Sequence, residues 1–127
     1  MSTIKEIIAR VDEAKPNAFP VKLKMGWLSE LDGKIAADVM LMSIVEIRGL
    51  QYKHPEHLEA ELLLTYPHES VYEHYLEAKI DYANGEYNKY QNSMEMFNAA
   101  YSNFVCWFAG TYDPAQGYRR EGTGYVF

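Results

Sequence analysis

The stretch Tyr87-Asn88-Lys89-Tyr90-Gln91-Asn92-Ser93-Met94-Glu95-Met96-Phe97-Asn98-Ala99-Ala100-Tyr101-Ser102-Asn103-Phe104-Val105-Cys106-Trp107-Phe108 reads as one long amphipathic helix. Tyr87, Tyr90, Met94, Phe97, Tyr101, Phe104 and Phe108 alternate three and four residues apart without a break. At about 100° per residue they fall within roughly one quadrant of the helix, the width of a packed seam. The predicted helix runs from Glu86 to Tyr112 and is stopped by Asp113-Pro114. Immediately upstream, Val71, Tyr72, Tyr75, Leu76, Ile80 and Tyr82 mark a partner helix over Glu69–Asn84, ended by Asn84-Gly85. So short a link makes the two an antiparallel hairpin.

Working back toward the N-terminus, Thr3 and Glu6 form a capping-box pattern, and Ile4, Ile7, Ile8 and Val11 share one helical face. This predicts a first helix over Ile4–Ala14, broken by Lys15-Pro16-Asn17. A second helix is expected from about Pro20 to Met42, burying Trp27, Leu28, Leu31, Ile35, Val39 and Met42. Gly26 and Gly33 inside it point to a close helix crossing. The segment Ser43–His68 holds two apolar runs that could be short strands, Ile44–Ile47 and Glu61–Tyr66, flanking a polar loop. The expected fold is therefore mainly all-α: about four helices, with a long loop or small β-hairpin between the second and third. Residues 1–114 read as one helical domain, and residues 115–127, with Gly117, Gly122 and Gly124, as a flexible tail.

The chain has 127 residues, 48% of them apolar, which suits a single domain with a real core. No apolar run approaches the ~18 residues of a membrane span. The polar opening Met1–Glu6 is unlike a secretory signal, and the single cysteine, Cys106, excludes an intramolecular disulfide. Both favour a cytoplasmic origin, with Cys106 as a small packing residue. The net charge of −6 argues against general nucleic-acid binding; it reads first as a solubility device, and it would also suit a wall that DNA slides past.

Eleven tyrosines are many for a dry core and fit half-exposed or interface positions. On the far side of the last helix, Asn88, Gln91, Asn92, Asn98, Ser102 and Asn103 are polar and uncharged, with Glu95 nearly alone among them, where a solvated face normally carries Lys, Glu and Arg. Amides can cross a protein interface without the desolvation cost of charges. Glu69, Glu73, Glu77 and Asp81 form a ladder four residues apart on the third helix, read as a solvated face or a contact for a basic partner surface. The expected interface residues are thus Glu69, Glu73, Glu77, Asp81, Asn88, Gln91, Asn92, Asn98 and Asn103, with Tyr118, Tyr125 and Phe127 in the tail. His54, His57 and His68 lack zinc-site spacing, and no phosphate loop or nucleophile motif is present, so no cofactor, metal or catalytic residue is expected.

Several motifs carry a resemblance. Thr3-Ile4-Lys5-Glu6-Ile7-Ile8, Val11-Asp12 and Lys15-Pro16-Asn17-Ala18-Phe19 resemble the opening of small head–tail connector proteins of tailed phages and prophages. Trp27-Leu28-Ser29-Glu30-Leu31-Asp32-Gly33 is similar to their second-helix motif. Glu61-Leu62-Leu63, Pro67-His68, Tyr72 and Tyr75 through Tyr87 are similar to their most distinctive stretch, which Asn92-Ser93-Met94 and Phe97-Asn98 continue. The likeness covers roughly residues 3 to 110. It implies a non-enzymatic adaptor that forms a homo-oligomeric ring between portal and tail-completion proteins, with DNA passing through unbound and no membrane involved. It places the protein in the virion, after assembly in the bacterial cytoplasm. Phe19-Pro20 stands where a Ser or Thr cap is expected, and the tail after Pro114 matches nothing in the family. Alternative readings are a helical regulatory binding module or, less favoured, a metal-dependent helical hydrolase.

Overall fold

The computed structural model describes residues 2–111; the tail residues Tyr118, Tyr125 and Phe127, and the tail boundary itself, lie outside the described residues. Five helices follow in order among the described residues: α1 (Ile4–Ala14), α2 (Val21–Asp38), α3 (Ile44–Arg48), α4 (Ser70–Ala83) and α5 (Tyr87–Thr111). The fold is mainly helical, as the periodicities indicate.

Helix α4 is the hub, packing against α5, α1 and α2. It and α5 form the antiparallel hairpin. Going back along α4 and up α5, Tyr82 meets Tyr90 at 5.2 Å between ring centres, Tyr75 meets Phe97 at 5.3 Å, and His68, just before α4, meets Phe104 at 5.5 Å. The link turns at Gly85, whose φ of +74° is a left-handed conformation glycine adopts without a Cβ clash. The core joins Ile4, Ile7, Ile8 and Val11 of α1 to Leu28, Leu31 and Ile35 of α2 and to Val71, Tyr72, Leu76 and Ile80 of α4; α5 supplies Phe97 and Phe104. The aromatic stripe of α5 is thus an internal seam at its middle, while Tyr87 at its start stays 60% exposed.

The Thr3–Glu6 capping box forms as predicted, with Thr3 Oγ1 accepting from Glu6 N and Glu6 Oε1 from Thr3 N. Two further free donors at the start of α1 find partners in the connecting segment: Ile4 N–H donates to Ala60 O and Lys5 N–H to Leu58 O, both at 2.9 Å. Below them Lys24 is buried at 1% exposure, its Nζ 2.6 Å from Asp12 Oδ1.

Four expectations are corrected. Ile44–Ile47 is a helix, not a strand: Ser43 and Glu46 make a reciprocal capping box that outweighs the β-propensity of Ile-Val-Glu-Ile. Glu61–Tyr66 is not a strand either. It contributes one isolated antiparallel bridge, Thr3 to Glu61, and buries Leu62 and Leu64 alternately without a partner strand. Helix α2 stops at Asp38, short of Met42, because the chain turns away through Leu41 at φ +53°. Gly26 and Gly33 mark no close crossing, since an added Cβ at either would meet nothing within 4 Å.

Candidate functional site

The acidic ladder of α4 lies against α1. Glu73 is 3.0 Å and Glu69 3.6 Å from the Arg10 guanidinium, which also reaches the Ser2 hydroxyl. Glu69 accepts from the Ser2 N–H and hydroxyl, each at 2.9 Å. Burial alone would raise the Glu69 carboxyl, but Ser2 and Arg10 together hold it below the ordinary glutamate value. Asp81 is fully buried, pairing with Lys15 Nζ at 2.8 Å and accepting from Ser93 Oγ of α5 at 2.8 Å. Only Glu77 is tied locally, 3.5 Å from His74 Nδ1. The basic surface that the ladder was expected to meet is largely the chain's own α1. Asp81 is therefore withdrawn from any outward contact, and Glu69 and Glu73 are largely engaged. The cause is the hub position of α4, whose Glu69, Glu73 and Asp81 edge faces α1 and its end at Lys15.

The outer face of α5 is different. Asn88, Gln91, Asn92, Asn98, Ser102 and Asn103 are all exposed, in a row opposite the buried Phe97 and Phe104. At ~1.5 Å per residue they span roughly 20 Å of helix. Met96 and Trp107 add exposed apolar area along its edge at 55% and 48%, Trp107 with one side of its ring against His68. Cys106, expected to pack inside, is exposed on this same face. A side chain of each kind is present here for a protein contact: amides to hydrogen-bond, and Met and Trp to bury.

A third constellation escaped the sequence reading. Asp32, fully buried in α2, accepts from Tyr72 Oη at 2.7 Å, from Tyr52 Oη at 2.5 Å and from Leu63 N–H at 3.2 Å. Desolvation raises its carboxyl above the usual aspartate value, although the three donors pull the other way. Burial and the facing Asp32 push both tyrosines upward, so neither phenol ionises near neutral pH. The clue was available: Asp32 lies four residues from Leu28 and one turn from Ile35, on the buried stripe, where a carboxylate must find donors.

Beside the seam, Tyr75, Ala78, Lys79, Tyr82, Tyr90 and Met94 line an open groove of about 330 Å³. Lys79 Nζ sits 5.5 Å over the Tyr75 ring. Burial and the adjacent Glu30, which accepts from its hydroxyl, push the Tyr75 phenol up to about 12. His54 is exposed, and His57 Nδ1 accepts from Lys53 N–H at 2.7 Å. Among the described residues no group of three or more His, Cys, Asp or Glu is placed to hold a metal ion. Nor is any described helix long and apolar enough to cross a membrane. Compared with family models, with curated proteins and with solved structures, the chain matches none.

Proposed function

We propose that this chain is a structural adaptor that works by self-assembly, a subunit of a ring in the head–tail connector of a tailed phage or prophage, seated between portal and tail-completion proteins. The observation that carries the reading is the outer face of α5, an exposed face of amides with Glu95 as the one carboxylate among them and Met96 and Trp107 along its edge. Exposed amides are cheaper to desolvate than charges and hydrogen-bond readily across an interface. The helical-hairpin fold and the motif resemblance over residues 3–110 support the same reading. The net charge of −6 suits a channel wall that phosphates pass without being held.

The mechanism is geometric. The α4–α5 seam makes the subunit rigid, and the face behind it joins subunits. Native mass spectrometry and light scattering across a concentration series, with and without isolated portal rings, test this directly. Ring-sized oligomers, alone or on portal, are expected. A chain that stays monomeric at high concentration and fails to bind portal rings sinks the proposal, and a closed dimer redirects it to a regulatory binding module.

A further inference from the structure

From Ala37 to Glu61 no residue is fully buried, although Ala36 before this stretch and Leu62 after it are core residues. Helix α3 inside it buries nothing, and Ile44 and Val45 are 66% and 79% exposed. Apart from the turn bonds that Leu58 N–H and Ala60 N–H donate to Pro55 O and His57 O at its far end, the hydrogen bonds of residues 43–57 to the rest of the described structure gather at one place on α2. Ser29 Oγ donates to Leu50 O at 2.6 Å and accepts from Tyr52 N–H at 3.2 Å, and Tyr52 Oη donates to Asp32. Ser29 and Asp32 are three residues apart, on one side of the helix.

We propose that residues 43–57 form a strap that opens as a unit, latched to α2 by Tyr52 on Asp32 and by Ser29 on Leu50 and Tyr52. The arrangement around the carboxylate permits this. When Tyr52 leaves, Asp32 keeps Tyr72 Oη and Leu63 N–H, so no buried charge is stranded. The far end of the strap is fixed independently, because Leu58 O and Ala60 O accept from the start of α1 and Leu62 and Leu64 stay in the core. At the near end the chain is held to α2 by Met42 N–H on Ala36 O at 2.9 Å, and Leu41, 79% exposed at φ +53°, makes the turn just before the strap. The strap's internal bonds travel with it: the Ser43–Glu46 capping box, and His57 Nδ1 on Lys53 N–H. Opening therefore lifts Tyr52 from the edge of the core and α3 from α2, and leaves the packing among the four longer helices in place.

Hydrogen exchange read by mass spectrometry on the full chain tests the latch. In Tyr52→Phe, which keeps the ring and loses the hydroxyl, amides of residues 43–57 should exchange about tenfold or more faster. Peptides from α1, α4 and α5 should be unchanged. Ser29→Ala should do the same independently, and its smaller perturbation guards against a poorly folded first variant. Faster exchange spread evenly over all helices would mean a global loss of stability and overturn the latch. Unchanged exchange over residues 43–57 in both variants would overturn it equally.

Discussion

The Tyr72 hydroxyl stands 2.7 Å from Asp32 Oδ1, to which it donates, and 2.7 Å from Leu64 N, from which it accepts. One phenol thus ties α2, α4 and the connecting segment together at a fully buried point. Tyr72→Phe keeps the packed ring but strands the Leu64 N–H and removes one of three donors from a buried carboxylate. The expected cost is about 2 kcal/mol, the usual penalty for unpartnered buried polar groups. Urea unfolding followed by circular dichroism measures it. A loss under about 0.5 kcal/mol would show that water or a shifted backbone replaces the hydroxyl.

Legibility of the sequence followed the range of the interactions. Helices α1, α4 and α5 were readable because their caps, periodicity and stop residues are local: Thr3 with Glu6, the three-and-four spacing of Phe97, Tyr101 and Phe104, and Asn84-Gly85. Helix α3 is equally local, but the β-branched run Ile44–Ile47 suggests a strand, and the Ser43–Glu46 cap that decides for a helix is a signal that periodicity alone does not carry. The acidic ladder and the Asp32 cluster depend on partners far along the chain, Arg10 for Glu73 and Tyr72 for Asp32. Spacing within one helix shows which residues share a face. It does not show that the end of α1 and the start of α5 close over Asp81 with Lys15 and Ser93, and that decides whether Asp81 is solvated or buried.

Gly26 and Gly33 sit inside α2 with open space where a Cβ would stand. Glycine in a helix interior costs roughly 0.5–1 kcal/mol against alanine, mostly in chain entropy. Gly26→Ala and Gly33→Ala should therefore each stabilise the fold by about that much, and the two should add because they lie two turns apart. Thermal unfolding of the single and double variants provides the check. A destabilised Gly33→Ala would reveal a crossing helix from a partner at that position.

Acid should weaken the fold in two separate windows. Burial depresses the His68 pKa below 6.5, so the unfolded chain binds the proton more readily. The stability this group gives is present above 6.5 and lost as pH falls through its folded value. Glu69, held below 4.5 despite burial by Ser2 and Arg10, acts with the same sign at lower pH. Asp32 acts oppositely. With its folded value raised above 3.8, its contribution is full below that pH and lost as pH rises through the raised value. His68→Phe, an aromatic for an aromatic against Phe104 and Trp107, should remove the first window and leave the second. Proton NMR of His68 gives a direct reading, and a midpoint at or above 6.5 contradicts the first window.

Cys106 offers a probe of the assembly face without any mutation, since it is the single cysteine and is exposed. At about 100° per residue it points in the direction of Asn88, Ala99 and Ser102, along the middle of the outer face of α5. A maleimide should label it at the rate of a free exposed thiol in the monomer. If the outer face of α5 joins subunits, labelling should slow at least about tenfold in the assembled form, and a bulky adduct should block assembly. Cys106→Ser should assemble normally, since the small side chain is conserved in size and the hydroxyl suits a polar contact. Full assembly of the adduct, with labelling as fast in the ring as in the monomer, would place the subunit contact elsewhere. The aliphatics of α3, Ile44 and Val45, would then be the next surface to block, by Val45→Glu.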